Sequence, residues 1–168
     1  MTCHSVVKLV TGLAVVAGVG MPMVACAAKG KLEGFQEVPA ISTTGQGKCT
    51  VKPSSDKQSL LVTLDYSGLR GAVTQAHIHL GQVGVNGGIM LFLCTNLGNG
   101  PVGTPACPPA PGTVTRTLVA ADVIGGAAAQ GLSAGDFGAV LVALKKRATY
   151  CNVHSDLFPA GEIRTQLK

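Results

Sequence analysis

The sequence SLLVTLDYSGLRGAVTQAHIH, residues 59–79, decides the fold class of this chain. Apolar and polar side chains alternate over residues 59–66, as they do in a β-strand that buries one face. A turn at residues 67–71 leads into a second strand, residues 73–79. Further strands recur about every ten residues with turn residues between them, at 48–52, 89–93, 113–118, 149–154 and 161–167. The pattern predicts a mainly β fold, an antiparallel Greek-key β-sandwich or barrel.

One segment departs from the β pattern. Residues 122–130 are rich in Ala and Gly and predict one or two helical turns. Residues 133–136, Ser-Ala-Gly-Asp, have the spacing of an N-terminal capping box, and apolar side chains then recur at helical intervals. The basic cluster at residues 145–147 would complement the carboxyl end of a helix. We therefore predict one short helix over residues 134–146.

The first 27 residues have the composition of a secretory signal peptide. Lys8 precedes an apolar run over residues 9–19, and small residues follow it. Cleavage after Ala27 would leave residues 28–168, a length typical of a single domain, without a transmembrane span. The alternative is a bacterial lipoprotein box that ends at Cys26, which would then carry a lipid anchor. Both alternatives predict an exported protein, either periplasmic or secreted, with attachment to the outer membrane if Cys26 is lipidated.

The charge distribution limits the classes of partner. The chain has 13 Lys and Arg against 8 Asp and Glu, and its aromatic residues are four Phe and two Tyr. Nucleic-acid binding requires a broad basic surface with aromatic rings for stacking, so we predict no nucleic-acid partner. The mild positive charge is compatible with attraction to an anionic surface or polysaccharide.

Four cysteines lie outside the N-terminal segment, and an even number in an oxidising compartment suggests two disulfides. Of the three connectivities, we favour Cys94–Cys107 with Cys49–Cys151. The first would close a Gly- and Pro-rich loop and would contribute roughly 3 kcal/mol on the chain-entropy model. A zinc tetrad is the rival interpretation, which the lack of a C-x-x-C pair disfavours.

Histidines supply the most specific candidate chemistry. His77 and His79 are two residues apart in a strand and must project from the same face. His154, at the end of another predicted strand, is the only other histidine outside the N-terminal segment. Three neutral imidazoles could bind one copper or zinc ion and leave a fourth position open for water. Alternatively, the histidines hydrogen-bond loop carbonyls and fasten two hairpins together.

Several polar residues could support these imidazoles. Gln75, Asn152 and Asp156 are candidates to hydrogen-bond the outer ring nitrogens. Glu162 and Arg164 alternate on the last strand, where they could form an ion pair, orient a histidine or receive a ligand carboxylate. No catalytic residue is predicted, because the chain has no G-x-S-x-G nucleophile motif.

Three ordered motifs carry a family resemblance: LEGFQEVP at residues 32–39, AHIHLG with NG at residues 76–87, and YCNVHS with PAGEIR at residues 150–164. Together they resemble the CHRD domain, the module repeated in the extracellular antagonist chordin and found alone in many exported bacterial proteins. One departure is Thr165, where the family usually has Gly. The resemblance implies a secreted β-sandwich over residues 28–168 with an extracellular binding or spacing role, and it carries over no catalytic residues.

A more distant likeness is to copper/zinc superoxide dismutase, in which a His-x-His strand of a Greek-key sandwich holds copper. Its dinuclear site needs more histidines than this domain has, so a single metal ion is the most that could be shared. The sequence thus favours an exported, non-enzymatic CHRD module that binds an extracellular or envelope protein or a polysaccharide. The alternative is a mononuclear copper or zinc protein that uses the three histidines, with redox chemistry as one use.

Overall fold

In the computed structural model, which describes residues 26–168, eight strands form one antiparallel sheet. They are β1 (Ala28–Glu33), β2 (Gln46–Pro53), β3 (Leu60–Ser67), β4 (Val73–Leu80), β5 (Ile89–Thr95), β6 (Gly112–Leu118), β7 (Thr149–Ser155) and β8 (Ile163–Gln166). Their order across the sheet is β5-β4-β7-β8-β1-β2-β3-β6. The mainly antiparallel β prediction is confirmed. The signal-peptide prediction concerns residues that lie almost entirely outside the described part of the chain.

The sheet curls into a nearly closed barrel, with β5 and β6 on either side of the remaining gap. Arg116 on β6 spans the gap and donates a hydrogen bond to the carbonyl of Phe92 on β5, at 2.7 Å. The same guanidinium forms an ion pair with Asp122 at 3.0 Å. Beyond it, the backbone N–H of Ile124 donates to the carbonyl of Met90. The unpaired edge of β5 is therefore covered by the segment that follows β6.

Alternation along each strand sorts the side chains between the barrel interior and the outer face. On β3, Leu60, Val62 and Leu64 are buried, while Leu61 and Asp65 point outward. Each such fully buried aliphatic side chain contributes about 1.5–3 kcal/mol relative to exposure. The buried set from all eight strands forms one continuous core, which the α-helix covers with Phe137, Val140 and Leu144.

A 3-10 turn at Gly34–Gln36 follows β1, and the other helical segments follow β6. Short 3-10 turns at Ala120–Asp122 and Gly125–Gln130 occupy the region predicted to contain one or two helical turns, and helix α1 spans Phe137–Lys145. The cap is Asp136, which accepts a hydrogen bond from the N–H of Ala139, rather than the predicted box beginning at Ser133. The helix starts later than predicted because Gly135 adopts a positive φ of 79° just before the cap. No helix within residues 26–168 has the length and apolar character needed to cross a bilayer.

One of the two predicted disulfides is present. Cys94 and Cys107 are joined by an S–S bond of 2.06 Å, which closes the loop after β5. The predicted Cys49–Cys151 bridge is not formed, and both residues are buried free thiols. They lie on β2 and β7, which meet across the barrel interior. Burial and the adjacent Cys49 raise the pKa of the Cys151 thiol, so the thiolate needed for disulfide formation is strongly disfavoured there.

Candidate metal centre

The register between β4 and β7 brings the three histidines together. His77 and His79 lie on the outer face of β4, while Ala76 and Ile78, which alternate with them, enter the core. In the antiparallel pairing with β7, His79 lies opposite Tyr150, His77 opposite Asn152 and Gln75 opposite His154. His154 is therefore the diagonal neighbour of His77. All three rings are buried although they lie outside the barrel, with exposed fractions of 0% for His77, 7% for His79 and 6% for His154.

The distances between the imidazoles suit a shared ligand. Nδ1 of His77 lies 3.1 Å from Nε2 of His154. Ring centroids are 5.4 Å apart for His77 and His79, and 6.3 Å apart for His79 and His154. One nitrogen from each ring lies within 4.8 Å of the other two. The structure thus places the three predicted residues in one cluster.

Backbone carbonyls determine which nitrogen of two rings carries the proton. Nδ1 of His79 is 2.9 Å from the carbonyl oxygen of Gly87, and Nδ1 of His154 is 3.0 Å from that of Pro159. A carbonyl can only accept, so each Nδ1 is the donor, and in the neutral ring Nε2 keeps its lone pair. This arrangement fastens the loops after β4 and β7. It also turns two Nε2 lone pairs toward the cluster, as in metal sites whose ligands are oriented by carbonyls.

Two ring nitrogens in the cluster have no hydrogen-bond partner. Within residues 26–168, neither Nε2 of His77 nor Nε2 of His79 has a partner in hydrogen-bonding geometry, although both atoms are fully buried. Buried polar atoms are nearly always paired, and an exception calls for an explanation such as a bound ion or water. The unpaired Nε2 of His79 is the nitrogen that the Gly87 carbonyl leaves unprotonated, so it is ready to donate its lone pair.

The surroundings of the rings favour their neutral form. Burial lowers the pKa of His77 from 6.5 to about 2, with repulsion from His154 and His79 adding to the effect. Burial likewise lowers the pKa of His79 to about 4 and lowers the pKa of His154. At neutral pH all three imidazoles are therefore uncharged, which is the form that binds metals.

Aromatic and cationic side chains enclose the cluster. Tyr150 stacks on His79 with ring centroids 4.6 Å apart and planes 7° from parallel. Arg164 covers the other face of this stack, its guanidinium carbon 3.4 Å from the Tyr150 ring centroid. Phe92 packs edge-on against His77 at 4.3 Å. Arg164 is held in place by hydrogen bonds to the side-chain oxygen of Asn86 and to nearby loop carbonyls.

Asn152 and Glu37 form the polar side of the cluster. Oδ1 of Asn152 lies 3.1 Å from Nε2 of His154. The Asn152 amide also interacts with the carboxyl group of Glu37. Glu37 lies in the loop after β1 and is buried, with an exposed fraction of 6%. Burial raises the pKa of Glu37 to about 7, although Arg164 and Asn152 act in the opposite direction. Glu37 and Tyr150 were not predicted as site residues, and the only signal for them was their position within the family motifs.

The other predicted supporting residues make their hydrogen bonds elsewhere. The side-chain oxygen of Gln75 accepts from Asn99, and Asp156 accepts from the N–H of Ala72. Glu162 accepts from Ser155, from Thr43 and from the N–H of Arg70. Burial works against the charge of Glu162, but these donors outweigh it and lower its pKa.

The suggested ion pair between Glu162 and Arg164 is wrong, because each is occupied by its own partners. Across residues 26–168 the one ion pair joins Arg116 to Asp122. Of the five predicted supporting residues, Asn152 is the one that lies against an imidazole nitrogen. Arg164 reaches the cluster indirectly, through the Tyr150 ring.

The fold and the site define a small antiparallel barrel with a loop-covered histidine cluster on its outer face. The family model for the CHRD domain matches residues 29–167. The chain therefore belongs to the CHRD domain family, which confirms the resemblance read from the three motifs. No curated protein and no solved structure gives a significant match to the chain.

Proposed function

We propose that this CHRD-domain protein is an exported, non-enzymatic binding module that holds one copper or zinc ion with His77, His79 and His154. The observation that carries the proposal is the unpaired, buried Nε2 of His79, which faces two further imidazoles within 4.8 Å. Neutral rings oriented by backbone carbonyls are suitable ligands for either metal.

The spacing of the ligand atoms fits one ion. Bonds of about 2.0–2.1 Å from zinc to histidine nitrogen place two ligands about 3.3 Å apart at a tetrahedral angle. The 3.1 Å between Nδ1 of His77 and Nε2 of His154 is close to this value. The three ligand atoms lie within 4.8 Å of one another, so the third ligand must move closer to share the ion with the other two. Enclosure by loops favours retention of an ion over turnover of a substrate.

Metal titration of the purified chain tests this proposal. We expect the metal-free protein to bind one equivalent of Cu²⁺ or Zn²⁺ in competition with a chelator, and His79→Ala to lose this binding. Gln130→Ala is the matched control, because Gln130 bonds the carbonyl of Leu80 and the N–H of Gly88 around the same loop without touching an imidazole. Retention of a full equivalent by His79→Ala, or its loss in Gln130→Ala alone, would contradict the assignment.

The proposal includes export by removal of the N-terminal segment. The Cys94–Cys107 disulfide is compatible with an oxidising compartment. Mass spectrometry of protein recovered from its native compartment provides the test. A chain that begins at Ala28 indicates ordinary cleavage and a periplasmic or secreted protein. A diacylglycerol-modified Cys26 indicates an outer-membrane lipoprotein, whereas an intact Met1 would refute export by either route.

A second candidate function, attachment to an anionic polysaccharide, is favoured by one surface. Lys29 and Lys31 of β1 and Lys48 and Lys52 of β2 are all exposed on the same outer face of the barrel. Lys31 lies directly opposite Lys48, whose neighbour on the other side is Asp65 of β3, so the four lysines outnumber this carboxylate and the face keeps an excess of positive charge. Strand β8 lies between this face and the histidine-bearing strands β4 and β7, so the two surfaces use different strands and the two functions are compatible.

Retention on immobilised alginate at low salt tests this surface. We expect Lys31→Gln/Lys48→Gln to elute at lower salt than the parent chain. Lys145→Gln/Lys146→Gln, which removes the same charge from the exposed end of α1, is the control. Equal shifts for the two double variants would indicate net charge alone and would refute a specific face.

A further inference from the structure

Asn152 is placed like a ligand of the metal site. It lies on β7 directly opposite His77, two residues before His154, with an exposed fraction of 2%. Its Oδ1 is 3.1 Å from Nε2 of His154, the same distance that separates Nε2 of His154 from Nδ1 of His77. Two ligands of one ion, each bonded at about 2.0–2.1 Å, have this spacing.

The contact between Asn152 and His154 brings two acceptors together. Because Nδ1 of His154 donates to the Pro159 carbonyl, Nε2 carries a lone pair. The Asn152 amide interacts with the carboxyl group of Glu37, while its Oδ1 lies 3.1 Å from the imidazole of His154. His77 can donate its one ring proton to Nε2 of His154, and Oδ1 of Asn152 receives no hydrogen bond from it. Two buried acceptors 3.1 Å apart, Oδ1 of Asn152 and Nε2 of His154, repel each other, and a cation between them removes the conflict.

We propose that Asn152 Oδ1 is the fourth ligand, so that the site is a three-nitrogen, one-oxygen set selective for a divalent ion, Zn²⁺ or Cu²⁺, over Cu⁺. This inference rests on the proposed metal-binding function. An amide oxygen is a hard donor that divalent ions accept, whereas Cu⁺ prefers soft ligands such as thiolate and thioether. The carboxyl group of Glu37 behind the amide interacts with it and helps to fix its orientation.

Selectivity separates a ligand from a residue that only orients the histidines. An orienting residue would lower the affinity for every ion alike when removed. A ligand oxygen would matter for the divalent ions and little for Cu⁺. We expect Asn152→Ala to weaken Zn²⁺ and Cu²⁺ binding about 10–100-fold, the range typical for losses around a metal site, with Cu⁺ binding changed less than about threefold.

The experiment titrates the full metal-free chain with Zn²⁺, Cu²⁺ and, under anaerobic conditions, Cu⁺, each against a competing chelator. Co²⁺ serves as a visible probe, and its ligand-field bands should shift when an oxygen ligand is removed in Asn152→Ala. Glu37→Gln is the matched control, since its amide oxygen still accepts from Asn152 and only the charge is lost. It should retain the Co²⁺ spectrum of the parent chain.

Three results would overturn the inference while leaving the histidine site intact: equal losses for all three ions, unchanged affinities, or an unchanged Co²⁺ spectrum in Asn152→Ala. If the parent chain binds no ion, the proposed function itself fails. Should Asn152→Ala not fold, Asn152→Asp keeps an oxygen at the position. We expect it to retain Zn²⁺ and Cu²⁺ affinity within about threefold or better, and a tenfold loss of both would overturn the assignment.

Discussion

At the scale of the residue, His79 shows how one side chain serves both the fold and the site. Its Nδ1 secures the Gly87 carbonyl, its ring face stacks on Tyr150, and its Nε2 is left without a partner in the buried cluster. The two interpretations that the sequence left open, hairpin fastening and metal binding, use different nitrogens of the same ring. They therefore do not compete.

The buried histidines make the stability of the metal-free protein dependent on pH. The pKa is about 2 for folded His77 and about 4 for folded His79, against 6.5 when unfolded. As pH falls below 6.5, the unfolded chain takes up protons that the folded rings refuse, and stability is lost. Each such histidine costs about 1.4 kcal/mol per pH unit until its folded pKa is reached.

Glu37 acts in the opposite direction over part of this range. Its pKa is about 7 when folded and 4.5 when unfolded, so the folded state gains a proton first and stability rises as pH falls between these values. The net expectation is a loss of about 1–3 kcal/mol per pH unit from pH 6.5 to 4.5. Urea unfolding at pH 7.5, 6 and 5 measures it, with Glu37→Gln expected to steepen the loss. A flat profile would contradict the neutral buried rings.

At the scale of the element, the loop between β4 and β5 is held over the histidines by Arg164 of β8. This side chain donates to Asn86 and to the carbonyl of Val85, and it stacks on Tyr150. The planar guanidinium supplies two directed donors and a stacking face together, which an ammonium group does not. Two side chains thus hold the loop against the sheet: Arg164 through its hydrogen bonds to Asn86 and Val85, and His79 through its hydrogen bond to the Gly87 carbonyl.

Replacing this arginine should loosen the loop. We expect Arg164→Lys to lower the free energy of unfolding by about 2–3 kcal/mol, since buried acceptors lose charge-assisted hydrogen bonds. Hydrogen exchange at residues 81–88 should accelerate along with it. Arg70→Lys is the comparison, because the exposed side chain of Arg70 makes one long hydrogen bond, 3.5 Å to the carbonyl of Ser42, and lies 5.8 Å from the Phe158 ring centroid. Equal effects of the two changes would refute the anchoring role.

The elements themselves were largely predictable, because strand and helix signals are local. Alternation located β3 and β4 within a residue, and the period of two placed His77 and His79 on one face. The approach of His154 depends on the register of β4 against β7, which joins residues 77 positions apart. No local pattern encodes that register.

Other features lay beyond sequence reasoning for identifiable reasons. Glu37 reaches the cluster through an irregular loop that has no periodicity, so its burial could not be inferred from the pattern. Cysteine parity predicted two disulfides, but the depth of Cys49 and Cys151 in the core depends on how the barrel closes. The helix begins at Phe137, after the Asp136 cap, because of the backbone conformation of Gly135, which spacing alone does not reveal.

At the scale of the whole molecule, the barrel is completed by side chains where its strands do not pair. Arg116 joins the carbonyl of Phe92 to Asp122 across the gap between β5 and β6. Phe92 is also the ring that packs against His77, so closure of the barrel and the wall of the cluster share a residue.

Removing the Arg116 bridge should weaken the entire fold. Arg116→Met keeps an apolar stem but leaves a buried carbonyl and a partly buried carboxylate without their donor. We expect a loss of about 1.5–3 kcal/mol in urea unfolding. Lys52→Met, on the exposed face of β2, should stay within about 0.5 kcal/mol of the parent chain. A comparable loss in both variants would show that charge, rather than closure, was responsible.

Because the Tyr150 ring stacks on His79, the intrinsic tyrosine fluorescence of the protein should respond to a metal ion bound at the histidines. The chain has two tyrosines and no tryptophan, so ultraviolet emission reports on tyrosine alone. Tyr150 touches the cluster, whereas Tyr66 lies on β3 in the other half of the sheet order. An open-shell Cu²⁺ ion at the histidines would quench about half of this emission, while Zn²⁺, with its filled d shell, would not. The tyrosine fluorescence of the unlabelled chain should therefore decrease when copper binds and stay unchanged when zinc binds.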